Sequence, residues 1–235
     1  AGVEFDRLGL VVVDEQHRFG VDQRQALSAQ AEGPGGVAHL LYMTATPIPR
    51  TLALTAYGDL SVSTIRRRPP GRVPVETRWL READREAAYE AIREELRAGR
   101  QAYVICPLVE EGEEGEARSA VSEAERLAGG PLAGFAVGLA HGAQRPDEKR
   151  SAMAAFASGA TDVLVATTVV EVGIDVPNAT VILIEDAERF GLAQLHPLRG
   201  RVGRGAQPGQ CLLLGEPTAE EGARRLEALT QTSDG

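Results

Sequence analysis

The sequence has few aromatic residues and almost no lysine. Aromatic side chains make up 4% of the 235 residues, while all hydrophobic residues together make up 43%, so the core must consist mainly of aliphatic side chains. Lys149 is the only lysine, and arginine carries the remaining positive charge. The net charge of −9 argues against a protein that coats nucleic acid through overall attraction. It does not exclude a local basic groove.

Cysteine is also scarce, and no apolar run is long enough to span a membrane. Cys106 and Cys211 lie in separate apolar segments without CxxC spacing. We therefore expect two buried free thiols and no structural zinc site. Because the sequence shows neither a signal peptide nor a membrane-spanning segment, we expect a cytoplasmic protein that has no membrane contact.

The sequence alternates between two kinds of segment. Runs of valine, leucine and isoleucine are separated by stretches rich in alanine, glutamate and arginine, which predicts an α/β fold with parallel strands. Residues 66–74 interrupt this pattern with four arginines, three prolines and a glycine, so we predict a linker or hinge there. Its arginines could contact a phosphate backbone or form a solvated tether. We accordingly place a first domain at residues 1–65, the linker at 66–78 and a second domain at 79–235.

An acidic pair follows the first apolar run. Residues 8–13 are predicted to form a parallel strand that is buried on both faces, and Asp14 and Glu15 come directly after it. Open α/β sheets bind ligands at the carboxyl ends of their strands. There the first carboxylate suits a magnesium–phosphate complex, and the second could polarise an attacking water. These residues alone leave a solvated turn or a helix cap as the alternative.

A threonine pair and an arginine pair are further candidate site residues. Thr44 and Thr46 follow a second predicted strand, residues 37–43, and could pass on a hydrogen bond or simply form a threonine-rich turn. Arg201 and Arg204 are three residues apart, and we expect them on one face of a helix that begins near Leu192. Two adjacent guanidiniums suit the charge on a transferred γ-phosphoryl group. A basic surface helix that pairs with carboxylates is the alternative.

Four segments together resemble motifs II, III, V and VI of superfamily 2 helicases. They are, in chain order, residues 14–21, 44–52, 167–175 and 199–204. The surrounding residues, including 57–60 and 188–196, are similar to the RecG family of bacterial branch-migration helicases. The transcription-repair coupling factor Mfd shares residues 44–51, but its acidic box usually reads Asp-Glu-Glu-Gln, where this sequence has Asp14-Glu15-Gln16-His17.

The resemblance implies a core of two RecA-like parallel-sheet lobes of the P-loop NTPase class, with ATP and Mg²⁺ as cofactors bound between them. Asp14 would hold Mg²⁺ through water, and Glu15 would activate the hydrolytic water. His17 would link the nucleotide to Thr44 and Thr46. The remaining implied roles are nucleotide contact for Gly173 and Asp175, γ-phosphate contact for Arg201 and Arg204, and DNA contact or coupling for Arg50, Thr167 and Thr168 in addition to Thr44 and Thr46.

The implied function is that of an ATP-dependent DNA helicase or translocase, acting as a monomer on forks and Holliday-type junctions in recombination and repair. An Mfd-like translocase and a non-catalytic nucleic-acid-binding module with a helicase fold are the alternatives. The sequence contains no G-x-x-x-x-G-K-[ST] phosphate-binding loop. We therefore expect the first lobe to be truncated on its N-terminal side and the chain alone to lack ATP hydrolysis. Pro197 stands where the family usually has glutamine, and proline removes a backbone donor and starts or kinks a helix.

Overall fold

A computed structural model describes residues 8–14, 32–33, 36–44, 61–65, 73–107, 113–167 and 175–232. The chain divides into two compact units, Ala1–Thr64 and Ile65–Gly235. Within the described ranges, no helix is both long and apolar enough to cross a membrane. The same ranges contain no group of three or more His, Cys, Asp and Glu side chains arranged to hold a metal ion.

The first unit contains four short strands in its described part. They are β1 (Leu10–Val13), β2 (Glu32–Gly33), β3 (Gly36–Val37) and β4 (His39–Tyr42). Strands β1 and β4 pair in parallel, and β2 and β3 pair in antiparallel. The predicted strand at residues 37–43 is therefore shorter at both ends, because Val37 belongs to the small antiparallel pair.

Strand β1 is not buried on both faces. Val13 is buried, but Leu10 and Val12 are 54% and 50% exposed. Successive side chains of a strand point to opposite faces, and no described element covers the face that carries Leu10 and Val12. The prediction of a doubly buried strand at residues 8–13 is thus wrong for the described structure.

The second unit is built on an open sheet of six strands. In chain order they are β5 (Glu76–Leu80), β6 (Gln101–Ile105), β7 (Val137–Ala140), β8 (Val163–Ala166), β9 (Ala179–Ile184) and β10 (Gln210–Leu214). Their order across the sheet is β5-β10-β9-β6-β8-β7, and every neighbouring pair is parallel. The predicted α/β class with parallel strands is confirmed.

In the described part of the second unit, four helices lie between strands and a fifth follows β10. They are α1 (Arg85–Arg97), α2 (Glu113–Gly129), α3 (Pro146–Ala157), α4 (Leu192–Arg199) and α5 (Glu220–Gln231). One boundary differs from the predictions. Residues 76–78, assigned to the linker, belong to β5, because their backbone pairs with β10.

The core occupies both faces of the six-stranded sheet. In β9, Ile182 and Ile184 pack with residues of α3, α4 and α5, whereas Val181 and Leu183 pack with residues of α1 and α2. All side chains of β6, β8 and β9 are buried, as expected for central strands that are covered by helices on both faces. This core is almost entirely aliphatic, with Tyr103 and Phe156 as its largest aromatic pair.

Candidate functional site

In the first unit, Asp14 and Thr44 lie at the same edge of the strand pair. Asp14 directly follows β1, and Thr44 follows β4 by two residues. The backbone N–H of Met43 donates to the carbonyl of Val13 at 2.8 Å, which joins the two strand ends. Both Asp14 and Thr44 are exposed. The parallel pairing therefore presents a carboxylate and a hydroxyl at the carboxyl ends of adjacent strands, where α/β sheets bind ligands.

Several predicted site residues fall outside the described part of the chain. They are Glu15, His17, Thr46, Arg50, Thr168 and Gly173. Their roles remain predictions from the sequence. The described members of the predicted site in the second unit are Thr167, Asp175, Arg201 and Arg204.

Arg201 and Arg204 do not share a helix face. Helix α4 ends at Arg199, and Gly200 caps it. Gly203 then adopts a φ of +69°, a left-handed conformation that ends any helix and that glycine tolerates best. The predicted helix through Arg201 and Arg204 is therefore wrong, because the glycines of this segment turn the chain before Arg204.

The structure nevertheless brings Arg204 to another predicted residue, Asp175. Arg204 Nη1 donates to Asp175 Oδ1 at 3.3 Å, and Arg204 Nε donates to the carbonyl of Gly200 at 2.9 Å. The side chains are 32% and 60% exposed. The pairing follows from the sheet, because β9 and β10 are parallel neighbours. The segments that lead into them, which contain Asp175 and Arg204, consequently lie side by side.

Close backbone packing supports this pairing. A Cβ added at Gly205 would lie 2.5 Å from the carbonyl oxygen of Pro177, and one added at Gly203 would lie 3.0 Å from Cγ2 of Val75. The first distance is shorter than real Cβ contacts allow, and the second is tighter than most of them. Gly203 also has a positive φ, so both positions favour glycine.

The charged residues of this region act on the buried phenol of Tyr103. Burial raises the pKa of Tyr103 to about 12, the positive charges of Arg201 and Arg204 oppose that rise, and Asp175 adds to it. Tyr103 points to the sheet face that is covered by α3, α4 and α5. The charges of Arg201, Arg204 and Asp175 thus all act on the pKa of Tyr103.

Thr167 occupies a different position from the Asp175–Arg204 pair. It follows β8 at the carboxyl edge of the sheet, is fully buried, and its Oγ1 has no hydrogen-bond partner among the described residues. Its backbone N–H donates to Ala140 at the end of β7. In this conformation Thr167 does not present its hydroxyl to a ligand in solvent.

A cavity of about 480 Å³ opens at the carboxyl ends of β6 and β9. Its lining consists of Arg85, Cys106, Pro107, Ser122, Glu123, Arg126, Glu185 and Asp186. Glu185 is buried and accepts a hydrogen bond from Arg85 at 2.6 Å. No local sequence pattern indicates this group, because 100 positions separate Arg85 from Glu185.

Arg199 has a structural contact that its motif did not indicate. Its buried guanidinium donates to the carbonyl oxygens of Leu229 and Thr232, at 3.0 and 2.6 Å. These carbonyls lie at the end of α5, where helices leave acceptors unsatisfied and attract positive charge. Arg199 therefore joins the end of α4 to the end of α5.

These features define the class of the protein. The second unit is an open parallel sheet with helices on both faces, and an arginine and an aspartate pair on the segments before β9 and β10. This is the architecture of a RecA-like helicase lobe. The model of the helicase conserved C-terminal domain matches residues 86–206, just over half of the chain. The chain belongs to this family.

Within it, the chain is similar to RecG. It is 54% identical over 235 residues to the ATP-dependent DNA helicase RecG of Acidithiobacillus ferridurans, covering 100% of this chain and 34% of that protein. With RecG of Synechocystis sp. it shares 51% over 233 residues, covering 99% and 28%. A solved structure of RecG bound to a three-way DNA junction superposes with a TM-score of 0.79 at 44% identity, covering 100% of this chain and 29% of that one.

The resemblance to RecG seen in the motifs is confirmed, and so is the RecA-like fold. The chain spans about a third of the length of the curated relatives it matches.

Proposed function

We propose that the chain is part of an ATP-dependent DNA helicase that acts on branched DNA, such as forks and Holliday-type junctions. The observation that carries this proposal is the contact between Asp175 and Arg204, two residues of helicase motifs, in a chain about half identical to RecG proteins. One of the similar structures holds a three-way DNA junction. An acidic chain with a net charge of −9 would contact DNA through local positive groups.

The roles assigned to single residues are part of the proposal. Asp14, an exposed carboxylate at the end of β1, fits a Mg²⁺ ion that keeps most of its waters and is bound through one carboxylate and the phosphates. Bound Mg²⁺ would supply positive charge to the phosphates. Glu15 orients and activates the hydrolytic water, and Arg201 and Arg204 stabilise the charge that develops on the γ-phosphate.

The remaining roles concern the nucleotide site and DNA. Gly173 contacts the nucleotide, Asp175 belongs to the same nucleotide site, and His17 connects the nucleotide to Thr44 and Thr46. Arg50 and Thr168 serve DNA contact or coupling. We also propose a first domain at residues 1–65, followed by a linker and a second domain. The second domain begins at Glu76, the start of β5, instead of at residue 79. We further propose a monomeric state.

The test compares two proteins. In the full-length protein that contains this chain, ATP turnover should rise on addition of branched DNA, and Glu15→Gln should abolish it because the amide cannot activate water. Glu76→Gln, at an exposed position of β5, is the control and should leave turnover unchanged. The 235-residue chain alone should show no turnover, since its sequence lacks the phosphate-binding loop.

Each alternative predicts a different result. DNA binding without any ATP turnover in the full-length protein would favour a non-catalytic module. Turnover that duplex DNA stimulates as strongly as forks do would favour an Mfd-like translocase. Turnover by the 235-residue chain that Glu15→Gln abolishes would contradict the proposal that this part is inactive alone.

A further inference from the structure

The side chain of Arg204 is held at two points. Its Nε donates to the carbonyl of Gly200, at the end of α4, and its Nη1 donates to Asp175. A guanidinium carries five N–H donors in one plane. Two contacts on different nitrogens fix the orientation of that plane, and the remaining donors stay available to a second acceptor.

The backbone beside this contact is equally constrained. Gly205 packs against the carbonyl of Pro177, two residues after Asp175, so closely that a Cβ would not fit. Gly203 is left-handed and packs against Val75 and Gly209. The Gly205–Pro177 contact therefore holds the segment of Arg204 against that of Asp175, and Gly203 holds the other side of Arg204 against the residue that precedes β5. A flexible surface contact between long side chains would not need such packing.

We propose that Asp175 is a positioning residue that acts through Arg204, orienting its guanidinium toward the phosphate, and that it does not act by contacting the nucleotide itself. This inference rests on the proposed function. Asp175 accepts from Nη1 on one side, while Gly200 accepts from Nε on the other. Together these contacts set the direction of the free donors before substrate binds, so that less reorganisation is needed in the transition state.

The test is a double-mutant cycle on ATP turnover by the full-length protein. Arg204→Ala should lower kcat by roughly 10³-fold, as loss of an arginine finger does. Asp175→Ala should lower kcat by roughly 10-fold with less than about a twofold change in KM for ATP, because only transition-state stabilisation is lost. The double variant should be no slower than Arg204→Ala alone, since Asp175 has no effect without its arginine.

Two further variants keep the result interpretable. Asp175→Asn retains an oxygen acceptor for Nη1 and should recover part of the lost kcat. Glu220→Ala removes an exposed ion pair with Arg224 on α5 and should leave both kcat and KM unchanged. Thermal unfolding of each variant identifies any that fail to fold. If Asp175→Ala does not fold, the kcat and KM of the isosteric Asp175→Asn variant replace those of Asp175→Ala in the comparison.

The outcomes separate this proposal from the proposed function. Additive losses in the double variant, or a rise in KM for ATP on Asp175→Ala with kcat unchanged, would assign Asp175 to direct nucleotide contact and overturn the proposal. A wild-type protein without ATP turnover would instead remove the proposed function, and the inference with it.

Discussion

Arg85 and Glu185 form a partly buried ion pair in the second unit, with Arg85 Nη1 at 2.6 Å from Glu185 Oε2. Arg85 begins α1 and Glu185 follows β9. Tyr89 donates its hydroxyl proton to Glu185 at 3.3 Å, and Arg126 of α2 donates to the same hydroxyl. The pair thus connects α1 and α2, which cover the same face of the sheet, to the carboxyl end of β9.

Removing Arg85 should lower the free energy of unfolding more than neutralising Glu185 does. Arg85→Ala leaves a charged carboxylate that is only 8% exposed and should lower the free energy of unfolding by about 2–4 kcal/mol. Glu185→Gln leaves a neutral group and should cost about 1 kcal/mol. Urea unfolding can be followed through Trp79, the only tryptophan, which lies in β5.

Arg224→Ala is the matched control for Arg85→Ala. Its ion pair with Glu220 is exposed, at 75% and 78%, and its loss should change the free energy of unfolding by less than about 0.5 kcal/mol. Equal effects of Arg85→Ala and Arg224→Ala would show that burial adds nothing to the Arg85–Glu185 pair.

The stability contributed by Glu185 should depend on pH. Burial raises the pKa of the Glu185 carboxyl, with the nearby Glu123 adding to the rise and Arg85 and Arg126 opposing it. The folded state therefore holds the proton more tightly than the unfolded state does. This contribution is fully present below the unfolded pKa of about 4.3 and is lost as pH rises through the folded pKa. The unfolding free energy of wild type minus that of Glu185→Gln should fall with rising pH across this window, and a flat difference would rule this out.

The pKa of Glu95 is shifted in the opposite direction to that of Glu185, so its contribution to stability should depend on pH with the opposite sign. A hydrogen bond from Arg100 lowers the pKa of Glu95, with Thr180 as a further donor, while burial opposes the shift. Its contribution is present above the unfolded pKa of about 4.3 and is lost as pH falls through the folded pKa. The difference between wild type and Glu95→Gln should shrink as pH is lowered. The same slope for both glutamates would contradict the assigned causes.

Side chains added to the glycine turn should destabilise the second unit. Gly203→Ala must place a Cβ on a left-handed residue, and Gly205→Ala must push its segment away from Pro177. We expect each to lower the free energy of unfolding by about 1–3 kcal/mol. Gly129→Ala, at the end of α2 with no atom within 4 Å of the added Cβ, should be neutral or stabilising by up to about 1 kcal/mol. Thermal melts of the three variants check this. A loss of stability at Gly203 and Gly205 but not at Gly129 shows that the cause is local packing and backbone conformation, and an equal effect at all three positions shows a general effect of replacing glycine.

Pro197 lies inside α4, a helix of only eight residues. Proline has no N–H to donate within the helix and strains the preceding turn. Pro197→Gln should therefore raise the free energy of unfolding by about 1–2 kcal/mol. Pro146 opens α3, where proline is favourable, so Pro146→Ala should give no gain. A loss of stability on Pro197→Gln would show that packing of the ring outweighs the missing hydrogen bond.

Local sequence patterns predicted most of the second unit. The alternation of apolar runs with stretches rich in alanine, glutamate and arginine predicted an α/β fold with parallel strands, and β8 and β10 are such apolar runs. Buried parallel strands are short apolar runs with clear ends. The same reasoning failed for residues 8–13, where an apolar run forms a strand with one exposed face. It failed again at Arg201, since helical spacing does not show where a glycine will turn the chain.

The sequence by itself determined the α/β class, the helicase family and which residue types belong to the candidate site, because these depend on periodicity and on motifs of neighbouring residues. Only the tertiary structure decided which of these residues meet. Asp175 reaches Arg204, 29 positions away, because β9 and β10 are parallel neighbours whose leading segments lie side by side. Arg85 reaches Glu185, 100 positions away, because α1 covers the sheet face beside β9. Strand order sets both contacts, and no local spacing records it.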